Sequence, residues 1–253
     1  MKDLFRRTPL QQFSEYSTSH LHAGTAYHAR FRDKPGRAVM WALEQDLIKD
    51  IFKNLAPRCV LDFATGTGRI VSTLEKALPD CEFHGIDISQ DMLTIARAEC
   101  KRTKFHEMDG RQALNEFGKE AFDAVSAFRF FPNADPPLRD RVAEQISGLT
   151  KTGGHVIVNN HRNFWSTSYV GMRASGNSEG NYGSSNAAIK DLFLRRGFSC
   201  VRQYSLGVWP QSDFRPLLLS WSVTSALERF NLRHLSRLHS LGYNTIFVFR
   251  KTP

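Results

Sequence analysis

The residues best placed to do chemistry lie in the stretch Asp62-Phe63-Ala64-Thr65-Gly66-Thr67-Gly68-Arg69-Ile70. It follows the apolar run Cys59-Val60-Leu61 and leads at once into a helical pattern, so it reads as a strand, a tight turn and a helix start. Gly66 and Gly68 carry no Cβ, which lets a ligand approach the backbone, and N–H groups at a helix start favour a polar or anionic ligand group. Asp87 ends the next strand pattern, 21 residues after Gly66, about where an acid meets a ribose diol. Asp109, beside Gly110, ends a third, where a carboxylate could accept an adenine amino group. Asp62 stands where most dinucleotide folds have an apolar residue. A G-x-G-x-x-G run from Gly66 would need glycine at 71, and Val71 is there, which weighs against a nicotinamide dehydrogenase.

The elements that must position these acids alternate. Met40, Leu43, Leu47, Ile48, Ile51 and Phe52 recur at helical spacing over Val39 to Leu55. Ile70, Val71, Leu74, Ala77 and Leu78 mark a second helix, and Ser89 is an N-cap for a third carrying Met92 and Leu93. Strands are expected at Cys59 to Ala64, Cys81 to Asp87, Lys104 to Asp109, Phe122 to Phe128, His155 to Asn159, Phe198 to Leu206 and Thr245 to Phe249. Pro136-Pro137 opens a helix that is expected to stop at Gly153-Gly154, and another helix around Ala187 to Arg196 follows a loop from Gly171 to Ser185. Strands alternating with helices give an open, mostly parallel α/β sheet with helices on both faces. The segment Gly207 to Tyr243 interrupts the alternation and reads as two short inserted helices.

Together these motifs resemble class I S-adenosylmethionine-dependent methyltransferases. Asp62 to Gly68 resembles that family's D-x-[GA]-x-G-x-G turn, with Ala64 at the first small position. His84-Gly85-Ile86-Asp87-Ile88-Ser89 resembles its second strand, Phe122-Asp123-Ala124-Val125 its fourth, and Leu149 to Gly154 the turn before its fifth. The resemblance covers about Val39 to Leu206 and the final strand. It implies a doubly wound, seven-stranded Rossmann-like sheet with the last strand antiparallel, within a single domain. That domain would comprise a lid segment at 1–38, a core at 39–206 and 244–253, and a helical cap at 207–243. It implies S-adenosylmethionine as cofactor, held at Asp62, Ala64, Gly66 and Gly68, with Asp87 on the ribose. Ile88 or Met92 would pack on the adenine, Asp109 with Gly110 would take its amino group, and Phe128 would face the reactive end. Tyr16, Tyr27 and Arg37 would belong to the lid.

A hydroxyl or ammonium acceptor needs a base to release its proton. His161, in the loop after the fifth strand, is the candidate, because imidazole titrates near neutrality. Arg129, after the fourth strand, either binds an acceptor carboxylate or phosphate or pairs with a nearby acid. Several acceptor classes are disfavoured. Asp135-Pro136-Pro137 is followed by Leu138 and lies beyond the fourth strand, unlike the signature of DNA amino methyltransferases. No cysteine follows a proline, as a cytosine C5 enzyme requires, and Phe128-Arg129-Phe130 lacks the acid of metal-dependent catechol-type enzymes. His20, His22 and His28 have no companion carboxylates, so no metal site is expected.

The chain of 253 residues, 41% hydrophobic and 23% charged, has the composition of a folded globular protein. No apolar run approaches a membrane span, the first residues open no secretory signal, and Cys59, Cys81, Cys100 and Cys200 form no C-x-x-C pair, so a cytoplasmic protein is expected. The net charge of +9 is uneven: residues 1–40 carry +4, 41–189 carry −2 and 190–253 carry +7. Arg229, Arg233 and Arg237 recur along one face of the cap, beside a stripe of Leu227, Phe230, His234 and Leu238. A small-molecule acceptor is therefore expected, phosphorylated or carboxylated forms included. The alternatives are an RNA methyltransferase and a non-enzymatic cofactor-binding scaffold.

Overall fold

Val60, Leu61, Asp62 and Phe63 are all buried, and they build β1 (Cys59–Phe63), a central strand of the sheet. The other strands are β2 (Glu82–Asp87), β3 (Lys104–Glu107), β4 (Phe122–Ala127), β5 (Thr150–Asn160), β6 (Phe198–Leu206) and β7 (Asn244–Lys251). They form one seven-stranded sheet in the order β3-β2-β1-β4-β5-β7-β6. β7 runs antiparallel to both β5 and β6, and the remaining pairs are parallel. In this computed structural model the described residues are 34–174, 184–209, 219–235 and 240–253, without the side chains of 171–174. Tyr16, Tyr27, His20, His22, His28, Arg237 and Leu238 lie outside them.

Among the described residues eight α-helices surround the sheet: α1 (Pro35–Leu55), α2 (Arg69–Ala77), α3 (Gln90–Glu99), α4 (Ala113–Phe117), α5 (Pro136–Leu149), α6 (Thr167–Ala174), α7 (Asn186–Leu194) and α8 (Trp221–His234). Alternation along the strands feeds two cores. Val125, Val156 and Val158 face Val142, Ile146 and Phe193 of α5 and α7. Ala124, Ile157 and Val248 face Ile48, Phe52, Val71 and Leu74 of α1 and α2. A sheet covered on both faces is the expected doubly wound Rossmann-like architecture. Among the described residues no helix is long and apolar enough to cross a membrane.

Several boundaries differ from expectation. α1 begins at Pro35, four residues before the expected start at Val39, because proline suits the first helical position. α5 ends at Leu149, not at the glycines. Thr150 Oγ1 bonds back to the Ile146 carbonyl at 2.7 Å, and residues 150–154 already belong to β5. Gly153, at φ +77°, sits where the β4–β5 register shifts. Residues 171–174, expected in a loop, continue α6. The third strand stops at Glu107, short of Asp109.

The cap departs most. Among the described residues it contributes one helix, α8, whose inward face is polar: Thr224, Glu228 and Asn231 are buried, while Phe230 is 53% exposed. The cause is the backbone beneath. The Glu228 carboxylate accepts the Gly207 and Trp209 N–H groups at 3.1 and 3.2 Å, donors that the end of β6 leaves without a ladder partner.

Candidate functional site

Strand order reverses between β1 and β4, the switch point at which open α/β sheets place their crevice, at the carboxyl ends of the strands. The turn after β1 lies in it. Ala64, Gly66 and Gly68 have φ of +54°, +56° and +73°. Glycine adopts these values freely, whereas Ala64 holds a strained left-handed conformation. Asp62, buried beneath the turn, accepts the Thr65 and Ser126 hydroxyls at 2.7 and 2.6 Å. Burial pushes its carboxyl up to about 6, against the lowering effect of those two hydrogen bonds, and the nearby Asp87 charge adds to the rise. Asp62 therefore tethers the turn to β4.

Asp87 bonds to the same turn. One carboxylate oxygen accepts the Gly66 N–H at 2.7 Å and the other the Ser89 N–H at 2.9 Å. The Gly68 N–H donates to the Thr65 carbonyl at 3.0 Å. Both glycine N–H groups, read from sequence as open to an anionic ligand, thus have partners within the protein. A turn so engaged is ill-suited to a pyrophosphate, and a carboxylate lies where that anion would sit. A Cβ on Gly66 would meet nothing within 4 Å, so the space over this glycine is open.

The other expected contacts divide. Ile88, 41% exposed beside Asp87, offers an apolar surface at the crevice, whereas Met92 is packed in the interior. A Cβ on Gly68 would come within 2.9 Å of Ala96 Cβ, so this glycine serves the packing of α2 on α3. Gly110 likewise makes room for the Phe63 ring, 2.2 Å from a Cβ built there. Asp109 caps the short turn Gly110–Gln112 and is paired with Arg111, whose hydrogen bonds hold its carboxyl below the usual range. Phe128 is buried in the core against α1 and α2.

At the ends of β4 and β5 the structure joins residues that the sequence left apart. Arg129, at φ +61°, pairs through its guanidinium with Glu44 of α1, and its N–H donates to Asn159 Oδ1 at 2.6 Å. Glu44 also accepts from Asn244 Nδ2 at 2.8 Å, and Asn159 Nδ2 donates to Asn244 Oδ1 at 2.9 Å. Of the two roles open to Arg129, pairing with an acid is the one observed. His161 lies alongside: its Nε2 is 3.5 Å from Asn133 Nδ2, and its Nδ1 is enclosed without a hydrogen-bond partner. Burial, then the Arg129 and Arg162 charges, hold the imidazole well below its usual range, so it is neutral at neutral pH.

Residues 60–154 match the family described as "Methyltransferase domain". The stretch from β1 to the start of β5 is thus similar to methyltransferase domains. Demethylmenaquinone methyltransferase of Thermus thermophilus is 33% identical over 125 residues, 48% of this chain and 51% of that protein. Trans-aconitate 2-methyltransferase of Rhodopseudomonas palustris is 27% identical over 146 residues, 58% of this chain and 53% of that protein. The chain thus spans about half the length of the curated relatives it matches. Magnesium protoporphyrin IX methyltransferase of Synechocystis, solved with S-adenosylhomocysteine, superposes with a TM-score of 0.60 at 15% identity, over 91% of this chain and 96% of that one, a likeness of fold.

Around Arg129 the residues missed by sequence reading are Glu44, Asn159 and Asn244. Glu44 left a signal: it occupies the apolar stripe of α1, four residues before Ile48 and seven before Ile51. An acid there must find a buried partner. Asn159 and Asn244 left none, because their pairing depends on β5 and β7 being neighbours.

Proposed function

We propose that the chain is an enzyme that binds S-adenosylmethionine across the carboxyl ends of β1, β2 and β4 and passes its methyl group to an oxygen or nitrogen of a small acceptor. The observation that carries this reading is the Asp62–Gly68 turn, locked to Asp87 by the 2.7 Å bond from Gly66, with open space over that glycine. On this reading Asp87 takes the ribose hydroxyls with its remaining lone pairs, Ile88 covers one adenine face, and Asp109 with Gly110 closes the adenine edge. Asp62, Ala64 and Gly68 hold the turn in shape, while Met92 and Phe128 form the walls behind it.

The bound cofactor supplies an electrophilic methyl group on a sulfonium, and transfer needs in-line alignment. The chain's part is to align and to remove a proton. His161 is assigned the proton, since a neutral imidazole accepts one without first losing its own. Arg129, tied to Glu44, holds the rim between β4 and β5 and is not assigned to an acceptor anion.

The matched relatives are named for demethylmenaquinone and for trans-aconitate. The exposed Trp165, Trp209 and Tyr243 favour an acceptor with an apolar face. Their segments are tied together beside the end of β5, through Asn163 N–H to the Tyr243 carbonyl and Thr167 Oγ1 to the Val208 carbonyl.

Calorimetry tests the reading: S-adenosylmethionine binding is expected, and binding of NADH in its place would overturn it. Asp87→Ala should weaken cofactor binding about 10- to 100-fold, the worth of hydrogen bonds to a charged group. His161→Ala should lower kcat about 100-fold or more with unchanged cofactor affinity. The acid limb of the wild-type pH–rate profile should fall below the ordinary imidazole value of 6.5, because the base stays unprotonated to lower pH. Full activity in the His161 variant would remove it as the base.

A further inference from the structure

At the opposite end of the sheet from the crevice, two neighbouring strands bring together donors that no short sequence motif contains. Cys59 at the start of β1 pairs in register with Glu82 at the start of β2, and His84 follows Glu82 on the same strand face. Ligand atoms of Cys59, Glu82 and His84 all lie within 4.8 Å of one another. We propose that Cys59, Glu82 and His84 form a binding site for a divalent cation of borderline softness, Zn²⁺ being the best match.

The donor set is one argument. A thiolate, an imidazole and a carboxylate suit Zn²⁺, and Mg²⁺ or Ca²⁺ would prefer oxygens alone. Distance is another. Tetrahedral zinc with bonds of 2.0–2.3 Å spaces its ligand atoms about 3.3–3.8 Å apart. His84 Nε2 and Glu82 Oε1 already stand at 3.2 Å, so closure asks for a modest inward shift of the Cys59 thiol.

The surroundings hold the imidazole. His84 Nδ1 lies 3.2 Å from His106 Nε2 on β3, and the two rings are nearly parallel at 11°, which suits an in-plane hydrogen bond. Phe117 and Phe122 pack edge-on against His84, and Phe117 also against His106. A ligating histidine whose second nitrogen is hydrogen-bonded and whose ring is wedged by apolar groups has the support that metal histidines ordinarily need. Here Nδ1–H would donate to His106, leaving the Nε2 lone pair towards Glu82 and Cys59. Two acceptors that close require a proton or a cation between them.

The charges are consistent. Beside the Cys59 thiol stand the carboxylates of Glu82 and of Asp123, which accepts the Cys59 N–H at 2.9 Å, a negative field that suits a dication. Metal binding releases the thiol proton to solvent. Lys104 is the metal-free counter-charge, pairing with Glu82, while Lys151 is held by Asp123. The Lys104 ammonium is exposed and can swing into water at little cost. The three ligands leave a fourth position for water, and the ion would clip β1 to β2.

Titration of the full chain with Co²⁺, followed by Zn²⁺ competition, tests the site independently of cofactor binding. One equivalent of Co²⁺ should give a thiolate-to-cobalt charge-transfer band that Zn²⁺ abolishes. Cys59→Ser should lose the band, and His84→Gln should weaken Co²⁺ affinity at least about tenfold. Both variants should bind S-adenosylmethionine as the parent does, which shows that they are folded. Absence of the band, or a band of unchanged strength in His84→Gln, overturns the proposal. So does cobalt binding that shows no thiolate character, as the N-terminal histidines alone would produce.

Discussion

Two glycines two residues apart in one turn do different work. Gly66 faces open space, while Gly68 faces Ala96 Cβ and Cys100 Sγ at 2.9 and 3.4 Å from a built Cβ. Both have positive φ, so alanine at either position strains the backbone by about 1–2 kcal/mol. Gly68→Ala adds overpacking of about 1–3 kcal/mol and should lower the unfolding midpoint in urea the more of the two. Gly66→Ala should instead show its larger effect on S-adenosylmethionine affinity, by calorimetry, because its methyl group enters the proposed cofactor space. Equal stability losses with unchanged affinity in both variants would refute the division. The turn was legible in the sequence because its residues are contiguous and its acids recur at strand spacing. Which glycine clears a ligand and which clears a helix was not, since Ala96 and Cys100 arrive from α3.

At the scale of elements, α8 shows how periodicity can mislead. Leu227, Phe230 and His234 form a stripe in the sequence, yet the helix buries Thr224, Glu228 and Asn231. It sits over backbone N–H groups at 207–209 that need acceptors, and an unpaired buried N–H is worse than an exposed phenyl ring. Glu228 carries a consequence for pH. Burial pushes its carboxyl up to about 7, opposed by the backbone N–H bonds it accepts. The native state therefore binds its proton more tightly than the unfolded chain, whose carboxyl titrates near 4.5. This contribution to stability is fully present below about 4.5 and is lost as pH rises through about 7. Urea unfolding midpoints measured from pH 5 to 8 should show that decline, and Glu228→Gln should flatten it. A wild-type slope unchanged in the variant would assign the effect elsewhere. Glu44 in α1 was a more readable exception, since its place in an apolar stripe demanded a partner; that the partners are Arg129 and Asn244 required the sheet order.

For the whole molecule, the basic C-terminal quarter meets the acidic middle. Arg195 and Arg196 pair with Asp140, Arg229 with Asp46, and Lys251 with Glu120. These four of the ten C-terminal cations thus dock the late elements onto the slightly negative segment at 41–189, and Arg229 belongs to an interface between α8 and α1. A protein whose cations are engaged in this way should bind single-stranded RNA weakly. Filter retention seen at about 50 mM salt should vanish by about 200 mM, and tight binding that persists would favour an RNA acceptor. The sequence by itself determined the alternation of strands and helices, the glycine turn and the acids that follow it, because hydrophobic period and local turn chemistry are properties of neighbours along the chain. Only the tertiary structure decided which charges pair, which face of α8 is buried, and that Cys59, Glu82 and His84 meet. Those contacts form between residues of different elements, and their distances exist only once the strands have taken their places in the sheet.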